Sequence, residues 1–396
     1  MNEIFEKVSQ EFKNELLISI VPFWEKFSID KEYGGYFSCI DRNGTIFDTD
    51  KFMWMQGREL WCWSYLYRTI TPKEEWLKMA SHGAEYIRKF GQAPNGDYYF
   101  SLDRQGRPLV KPYNIFSDCF CAAGLAEFGK ISKEPWAVEN AIKTWYRIQE
   151  RQSNPKGIWN KQISDNRSIH LMNMPMIQLW LSQVFNGLIE DNILVPIIAD
   201  SIRSILTLHI NKEKKAVFEK VLFDGSPVQG MDGRLLSPGH ALETLWFMLK
   251  AINDDGYSIL SLIGISKDEA ILIITEAMLW TIQRGWDLMY GGIYYYLDYE
   301  GFPPEKLEWD MKLWWVHAEA LCAFLLAFKT TRNVEFLDWF EKIQDWTWNH
   351  FRDVEFGEWF GYLHRDGSPA LLLKGGKWKG MFHIPRALIE CMKICN

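Results

Sequence analysis

Short turns rich in glycine and aromatic residues divide the chain into segments of similar length. Five of the turns contain glycine and one keeps only the aromatic residue; they are centred on Gly35, Gly96, Gly157, Phe218, Gly292 and Gly357. The turns recur at intervals of 61, 61, 61, 74 and 65 residues. A regular period of this kind indicates similar supersecondary units. We interpret residues 253–265, within the longest interval, as an inserted loop.

Between successive turns the hydrophobic pattern predicts two helices of different character. The first is apolar almost all round, as in residues 61–66, and such a helix has to be covered on every side. The second is amphipathic, as in residues 73–88. Thr71-Pro72-Lys73-Glu74 and Ser266-Lys267-Asp268-Glu269 have the pattern of capping boxes and predict the starts of two amphipathic helices.

Six units of a buried helix and a covering helix predict an all-α fold, an (α/α)6 barrel of six helical hairpins with short β-like loops at one mouth. We expect residues 1–396 to form this barrel as a single domain. An open superhelix of helical hairpins is the alternative. No unit has the polar character of a terminal cap, which favours the closed ring.

Composition narrows the class of protein. Hydrophobic residues make up 47% of the chain, enough for a large core, and the net charge of −7 leaves no basic surplus for a nucleic acid. The most apolar stretch, residues 270–282, is too short for a membrane span. Seven scattered cysteines form no paired CxxC motif, and no secretory signal opens the chain. We therefore expect a soluble, cytoplasmic protein without a metal site.

Polar residues recur at one phase of the repeat, where each inner helix begins. In chain order they are Gln56 and Arg58; Ser117 and Asp118; His170 and Asn173; His240 and Glu243; Glu308, Asp310, Lys312 and His317; and His383 and Arg386. In a closed barrel these helix ends meet, which predicts a functional cavity there.

His240 and His383 are the candidate acid/base residues. Ser237-Pro238 predicts a helix start that places His240 in the first turn, where the helix dipole favours a neutral imidazole. Glu243 lies on the same face and is expected to orient the ring. Pro385 marks a similar helix start beside His383. Two neutral bases suit the removal of a proton from one face of a carbon and its return to the other.

Structural explanations compete with these functional ones. A histidine on an apolar helix is usually a core residue with a satisfied hydrogen bond, and for His317 both interpretations stay open. Arg58 needs either a carboxylate or a ligand oxygen. Most tryptophans should pack in the core, while some, Trp314 among them, should form flat walls for a sugar ring. Lys374-Gly375-Gly376-Lys377 resembles a phosphate-binding loop only weakly.

Several segments together resemble the N-acylglucosamine 2-epimerase family, which in mammals includes the renin-binding protein. They are Gln56-Gly57-Arg58-Glu59-Leu60-Trp61, Ser237 to Glu243, Leu307 to Trp315 with His317-Ala318-Glu319, Gly357 to Tyr362, and Lys374-Gly375-Gly376 through Phe382-His383-Ile384-Pro385-Arg386. The resemblance implies an (α/α)6 barrel, often a homodimer, that interconverts N-acetylglucosamine and N-acetylmannosamine.

The resemblance also implies residue roles. The sugar ring opens, and His240 and His383 remove and return the C2 proton. Arg58, Glu308 and Arg386 bind the substrate and stabilise the enediolate; Glu243, His317, Asn173 and Trp314 complete the expected substrate site. No cofactor is needed for the chemistry. Several relatives are stimulated by ATP without consuming it, so ATP is a candidate allosteric activator, and the lysine–glycine segment does not decide whether this chain responds to it.

Other functions stay open at this point. Relatives that epimerise cellobiose or mannose, or isomerise mannose, carry a further histidine on the third inner helix. Asn173 stands at that place here, with His170 nearby. A mannose or cellobiose 2-epimerase or aldose–ketose isomerase is the first alternative. A glycoside hydrolase using Asp118 and Glu308, and a non-catalytic binding module, are the others.

Overall fold

The computed structural model describes residues 2–161, 163, 166 and 168–396. Its α-helices are α1 Asn2–Asn14, α2 Val21–Phe27, α3 Met53–Thr69, α4 Glu74–Phe90, α5 Phe116–Ile131, α6 Pro135–Arg151, α7 Asn173–Phe185, α8 Asp191–Ser204, α9 Met231–Arg234, α10 Pro238–Ile263, α11 Lys267–Gly285, α12 Trp314–Thr331, α13 Val334–His350 and α14 His383–Cys395. π-helical turns at Glu15–Ile20 and Ile205–His209 follow α1 and α8, and Gly157–Trp159 is a 3-10 turn.

Six of these helices form a closed inner ring. Each packs against the next in the order α3, α5, α7, α10, α12 and α14, and α14 returns to α3. Outer helices α4, α6, α8, α11 and α13 each cover the inner helix that precedes them, and α1 covers α14. The predicted (α/α)6 barrel is confirmed, and the last hairpin is completed by a helix from the start of the chain.

The short strands cluster where inner helices begin. They are β1 Cys39–Ile40, β2 Ile46–Asp48, β3 Lys51–Phe52, β4 Ser101–Leu102, β5 Pro108–Val110, β6 Ile169–Leu171, β7 Ile210–Asn211, β8 Ala216–Val217, β9 Lys220–Leu222, β10 Leu235–Leu236, β11 Leu297–Asp298, β12 Lys312–Leu313, β13 Tyr362–Leu363 and β14 Pro369–Leu371. All pair antiparallel, as β1-β2, β3-β4-β5, β6-β9, β7-β8, β10-β11 and β12-β13-β14. Strands β3, β6, β10 and β12 run almost directly into inner helices, so the loops form one mouth.

Several predicted boundaries need correction. Residues 253–265 are not an inserted loop, because α10 continues to Ile263, where buried Ile259 and Leu260 extend its apolar face. Gly264 ends α10 with a left-handed φ of 83°. Ser266 does cap α11 by accepting from the Glu269 N–H, at 3.2 Å.

Other helix starts also lie elsewhere than predicted. Helix α4 begins at Glu74, and its N-cap residue Lys73 makes no side-chain cap, so the predicted capping box is wrong. His170 lies on β6 and not on an inner helix. Glu308 precedes β12 in the loop before α12, because the chain pairs as a strand with β13 before the helix starts.

Three buried aspartates join neighbouring units of the ring. Each lies at a glycine turn and binds a lysine of its own unit and an arginine of the next. The clusters are Asp30 with Lys51 (2.9 Å) and Arg104 (3.0 Å), Asp287 with Lys312 (3.2 Å) and Arg365 (2.8 Å), and Asp353 with Lys374 (2.9 Å) and Arg42 (2.7 Å). The third cluster links the last unit to the first and therefore closes the ring.

No helix in the described part of the chain combines the length and the apolar character that a bilayer crossing requires.

The ring-closing cluster should contribute strongly to stability. Asp353→Ala leaves Lys374 buried with no carboxylate on it, and we expect the free energy of unfolding to fall by about 3–5 kcal/mol. Urea unfolding followed by circular dichroism measures the change. The matched control is Glu74→Gln, which removes an exposed ion pair with Lys78 and should change stability by less than about 1 kcal/mol. Equal effects of the two substitutions would contradict the role of the cluster.

Candidate active site

A cavity of about 600 Å³ opens at the mouth where the inner helices begin. Every inner helix contributes a side chain to its wall: Arg58, Phe120, Trp180, His240, Trp315 and His383. Of the residues predicted from the sequence, the following line it: Arg58, Asn173, His240, Glu243, Glu308, Trp314, His383 and Arg386. The mouth predicted from the phase of the repeat is therefore the place where these side chains meet.

Among the predicted substrate-binding residues His317 does not line the cavity, and its predicted role is corrected. The ring is fully buried, its Nδ1–H donates to the Leu313 carbonyl (2.9 Å), and its Nε2 accepts from the Ile293 N–H (3.0 Å). It stacks on Trp346 at 4.8 Å. Burial lowers its pKa to about 3. Of the two interpretations left open, the structure supports the one in which His317 is a neutral residue of the core.

His383 is the first residue of α14 and is nearly buried. Its Nδ1 lies 2.7 Å from a carboxylate oxygen of Glu319. Burial and the positive charges of Arg386 and Arg58 hold its pKa well below the usual range, so the imidazole is neutral. A neutral ring that donates from Nδ1 to the carboxylate leaves Nε2 without a proton. His383 is therefore arranged as a base.

His240 has the opposite protonation state. It lies in the first turn of α10, with Nδ1 3.2 Å from a Glu219 carboxylate oxygen. Burial alone would lower its pKa, but the negative charge and hydrogen bond of Glu219 raise it to about 9. The prediction of a neutral His240 is wrong, because an ionised carboxylate at hydrogen-bond distance outweighs a helix dipole. His240 is therefore arranged as an acid.

The two imidazoles share one wall of the cavity. The Trp315 ring lies 5.1 Å from the His240 ring and 5.7 Å from the His383 ring, measured between centroids. A base and an acid thus face the same space from two different inner helices.

Arg386 links the carboxylates below the two histidines. Its guanidinium donates to Glu243 and, at 2.6 Å, to Glu319. Glu243 was predicted to orient His240, but it is committed to Arg386 instead. Glu243, Glu319 and His383 bring ligand atoms within 4.8 Å of one another, a spacing that suits a metal ion. Arg386 already supplies positive charge to both carboxylates there.

Arg58 has no such partner. Its guanidinium packs over the rings of Trp54 (4.5 Å), Phe120 (4.0 Å) and Phe382 (4.9 Å), and its Nε is buried without a hydrogen bond. Burial lowers its pKa to about 9, although the charge of Glu243 opposes this. Among the described residues no carboxylate forms a salt bridge with Arg58. Of the two partners expected for Arg58, a carboxylate or a ligand oxygen, the ligand oxygen therefore remains.

Asn173 and His170 occupy different places in the structure. Asn173 begins α7 and lines the cavity, and its buried Oδ1 accepts no hydrogen bond from the described residues. His170 turns away from the cavity, because its Nδ1 contacts His209 Nε2 at 2.8 Å. Among the residues that the structure describes, no third histidine joins His240 and His383 in the lining.

Glu219 and Glu319 were not predicted as site residues from the sequence. Glu319 is the single charged residue in the apolar run 314–328, and that pattern was a usable signal. Glu219 follows Phe218, at the one turn without glycine, but nothing in the spacing indicates that it meets His240.

The lysine–glycine segment has a structural role. Lys374 binds Asp353, and Lys379 binds Glu358 at 2.8 Å; both lysines are fully buried. Their ammonium groups are therefore occupied by carboxylates of the chain.

Comparisons with known proteins agree with this geometry. The family model described as N-acylglucosamine 2-epimerase (GlcNAc 2-epimerase) matches residues 35–387. The N-acylglucosamine 2-epimerase of Mus musculus is 35% identical over 98% of this chain and 91% of its own length, and that of Bos taurus is 34% identical over 95% and 89%. The solved cellobiose 2-epimerase from Spirochaeta thermophila DSM 6192 superposes with a TM-score of 0.82 at 21% identity, covering 99% of this chain and 98% of that one.

The fold and these matches define an isomerase of the α/α-barrel class, a sugar 2-epimerase acting on a small carbohydrate. The chain belongs to the N-acylglucosamine 2-epimerase family.

The two cavity arginines should respond differently to substitution. Arg58→Met removes a buried charge with no ion-pair partner, so stability should fall by no more than about 1 kcal/mol while sugar binding is lost. Arg386→Met leaves Glu243 and Glu319 without their cation and should cost about 3–5 kcal/mol. Urea unfolding and calorimetric sugar titration measure both effects. A large loss of stability in Arg58→Met, or unchanged sugar binding, would contradict the assignment.

Proposed function

We propose that the protein interconverts N-acetylglucosamine and N-acetylmannosamine by moving a proton at C2. The observation that carries this proposal is that two histidines on different inner helices face one cavity, with pKa values shifted in opposite directions. An epimerase that works by proton transfer needs a base on one face of the carbon and an acid on the other.

The sugar ring has to open before the proton can leave, because the C2 proton becomes acidic only beside a free aldehyde. His383 Nε2 then takes this proton, the C2–H bond breaks, and its electron pair passes into an enolate whose charge lies on the C1 oxygen. Arg58 is the cation without an internal partner, and it is suited to stabilise the oxygen that gains charge at C1.

His240 completes the exchange by donating its Nε2 proton to the opposite face of C2. The new C2–H bond inverts the configuration, and the enolate returns to the aldehyde. His383 is then protonated and His240 neutral, so proton exchange with solvent resets the pair. In the reverse direction the two histidines exchange roles. Both proton transfers use side chains of this chain, so the proposal calls for no cofactor.

An N-acylated sugar is favoured over an unsubstituted one. Asn173 presents amide hydrogen-bonding groups at the position where, by the resemblance, epimerases of unsubstituted sugars have a histidine. The position of His170 beside His209 supports this, because His170 does not supply that histidine. A panel of N-acetylmannosamine, mannose and cellobiose separates the two substrate classes.

Three further properties belong to the proposal. The seven cysteines are free thiols, which supports a reduced, cytoplasmic location. A homodimer and activation by ATP are implied by the resemblance and stay predictions. Light scattering and activity assays with and without ATP test them.

The proposed chemistry predicts isotope exchange at one carbon. In heavy water, N-acetylmannosamine should give N-acetylglucosamine with deuterium at C2, as read by proton NMR. His240→Ala and His383→Ala should each lower kcat by at least about 100-fold, since each removes an acid/base group. His317→Ala is the control, because it removes an imidazole that lies outside the cavity. The His317→Ala enzyme that folds should still give product with deuterium at C2. Product without deuterium would contradict the mechanism.

The protonation states predict the pH dependence of the reaction in which His383 takes the proton. His240 has to be protonated, and its pKa is about 9, so kcat should fall as pH rises through about 9. His383 has to be neutral, and its pKa is held low, so kcat should stay high below the ordinary histidine range. Initial rates from pH 5 to 10 test this. A fall centred near pH 6.5 on the alkaline side would contradict the pairing of His240 with Glu219.

A further inference from the structure

Glu219 controls the charge of His240, yet it lies on a very short segment. Phe218 and Glu219 are the two residues between strands β8 and β9. The carboxylate reaches His240 from outside the helix that carries the histidine. Its position therefore depends on what fixes the backbone of these two residues.

His209 holds this segment by two hydrogen bonds. The Phe218 N–H donates to the His209 carbonyl at 2.9 Å, and His209 Nδ1 lies 2.7 Å from the Phe218 carbonyl oxygen. A carbonyl can only accept, so Nδ1 carries the hydrogen. The Met172 N–H adds a third bond, to the Glu219 carbonyl at 3.0 Å. Both peptide units around the carboxylate are thus fixed.

His170 fixes the ring of His209 in turn. With its hydrogen on Nδ1, neutral His209 accepts at Nε2, so His170 Nδ1–H donates across the 2.8 Å contact. His209 is fully buried, and burial lowers its pKa to about 4, so it stays neutral. Burial also lowers the pKa of His170. Neither ring lines the cavity.

We propose that His209, supported by His170, is a positioning residue that holds the Glu219 carboxylate at hydrogen-bond distance from His240 Nδ1 and thereby supports the role of His240 as the acid. This inference rests on the proposed function for the role of His240. It assigns no contact with substrate to either His209 or His170.

The other groups around His240 do not depend on His209. The carboxylates of Glu243 and Glu319 also favour its charged form, and His383 is the neighbouring imidazole. Glu243 and Glu319 are bound to Arg386, so they stay in place when the Glu219 segment moves. A change in the pKa of His240 after substitution of His209 is thus assigned to Glu219.

The test compares His209→Ala with His209→Asn, whose side-chain amide nitrogen takes the place of Nδ1 and keeps the bond to the Phe218 carbonyl. His82→Ala is the matched control, because His82 also contacts a loop carbonyl, Gly35, at 3.1 Å, but lies on outer helix α4. The pKa of His240 in each full-length protein is read by NMR titration of isotope-labelled histidines. The pH profile of kcat is measured in parallel.

We expect His209→Ala to lower the pKa of His240 by about one unit or more, and the alkaline fall in kcat to move with it. With His240 titrating one unit lower, kcat should fall about threefold near pH 8.5 and change little at pH 7. His209→Asn should bring the pKa of His240 most of the way back to the parental value. His82→Ala should leave the pKa of His240 unchanged.

A His209→Ala protein that folds with the parental His240 titration would overturn the inference, as would an equal shift in His82→Ala. If His209→Ala fails to fold, the inference is tested with His209→Asn and His170→Ala. His170→Ala should lower the pKa of His240 by a smaller amount. An unchanged pKa of His240 in His170→Ala would then count against the inference. The NMR titration needs no substrate, so a parent enzyme without epimerase activity would contradict the proposed function and leave this readout intact.

Discussion

Charge balance beneath the cavity constrains the whole site. Three carboxylates and three cations lie together there: Glu219, Glu243 and Glu319 against Arg58, Arg386 and protonated His240. Buried charges are tolerated only when they are compensated. The carboxylate of Glu219 raises the pKa of His240, whereas burial and the guanidinium groups of Arg386 and Arg58 lower the pKa of His383. The difference between the two rings is therefore set by the surroundings of each ring.

The barrel is what brings these charges together. Glu219 precedes α10, Glu319 lies on α12, and Arg386 lies on α14, so the set exists only when the ring of inner helices is closed. Closure depends on α1, which covers α14, and on the cluster of Asp353 with Arg42. The long-range contacts that complete the fold thus also complete the site.

The sequence predicts what is periodic and local. Apolar helices, glycine turns and helix starts identified the barrel and its mouth, and with the family resemblance they gave eight of the residues that line the cavity. His317 was left undecided because one of its nitrogens is satisfied by the Ile293 amide, 24 residues earlier in the chain. The charge of His240 was mistaken because Glu219 reaches it from a separate loop. Spacing along the chain does not encode either contact. Residues 253–265 were mistaken for a loop because α10 is longer than the other inner helices.

The central claim is that the two imidazoles flank one sugar carbon. A crystal structure with the open-chain alcohol of N-acetylglucosamine tests it most directly, because this analogue keeps C2 but cannot react. The account predicts C2 between His383 Nε2 and His240 Nε2, about 3.5 Å from each and on opposite faces, with an oxygen of the analogue on Arg58. Both imidazoles on the same face of C2, or an analogue bound outside the cavity, would contradict it.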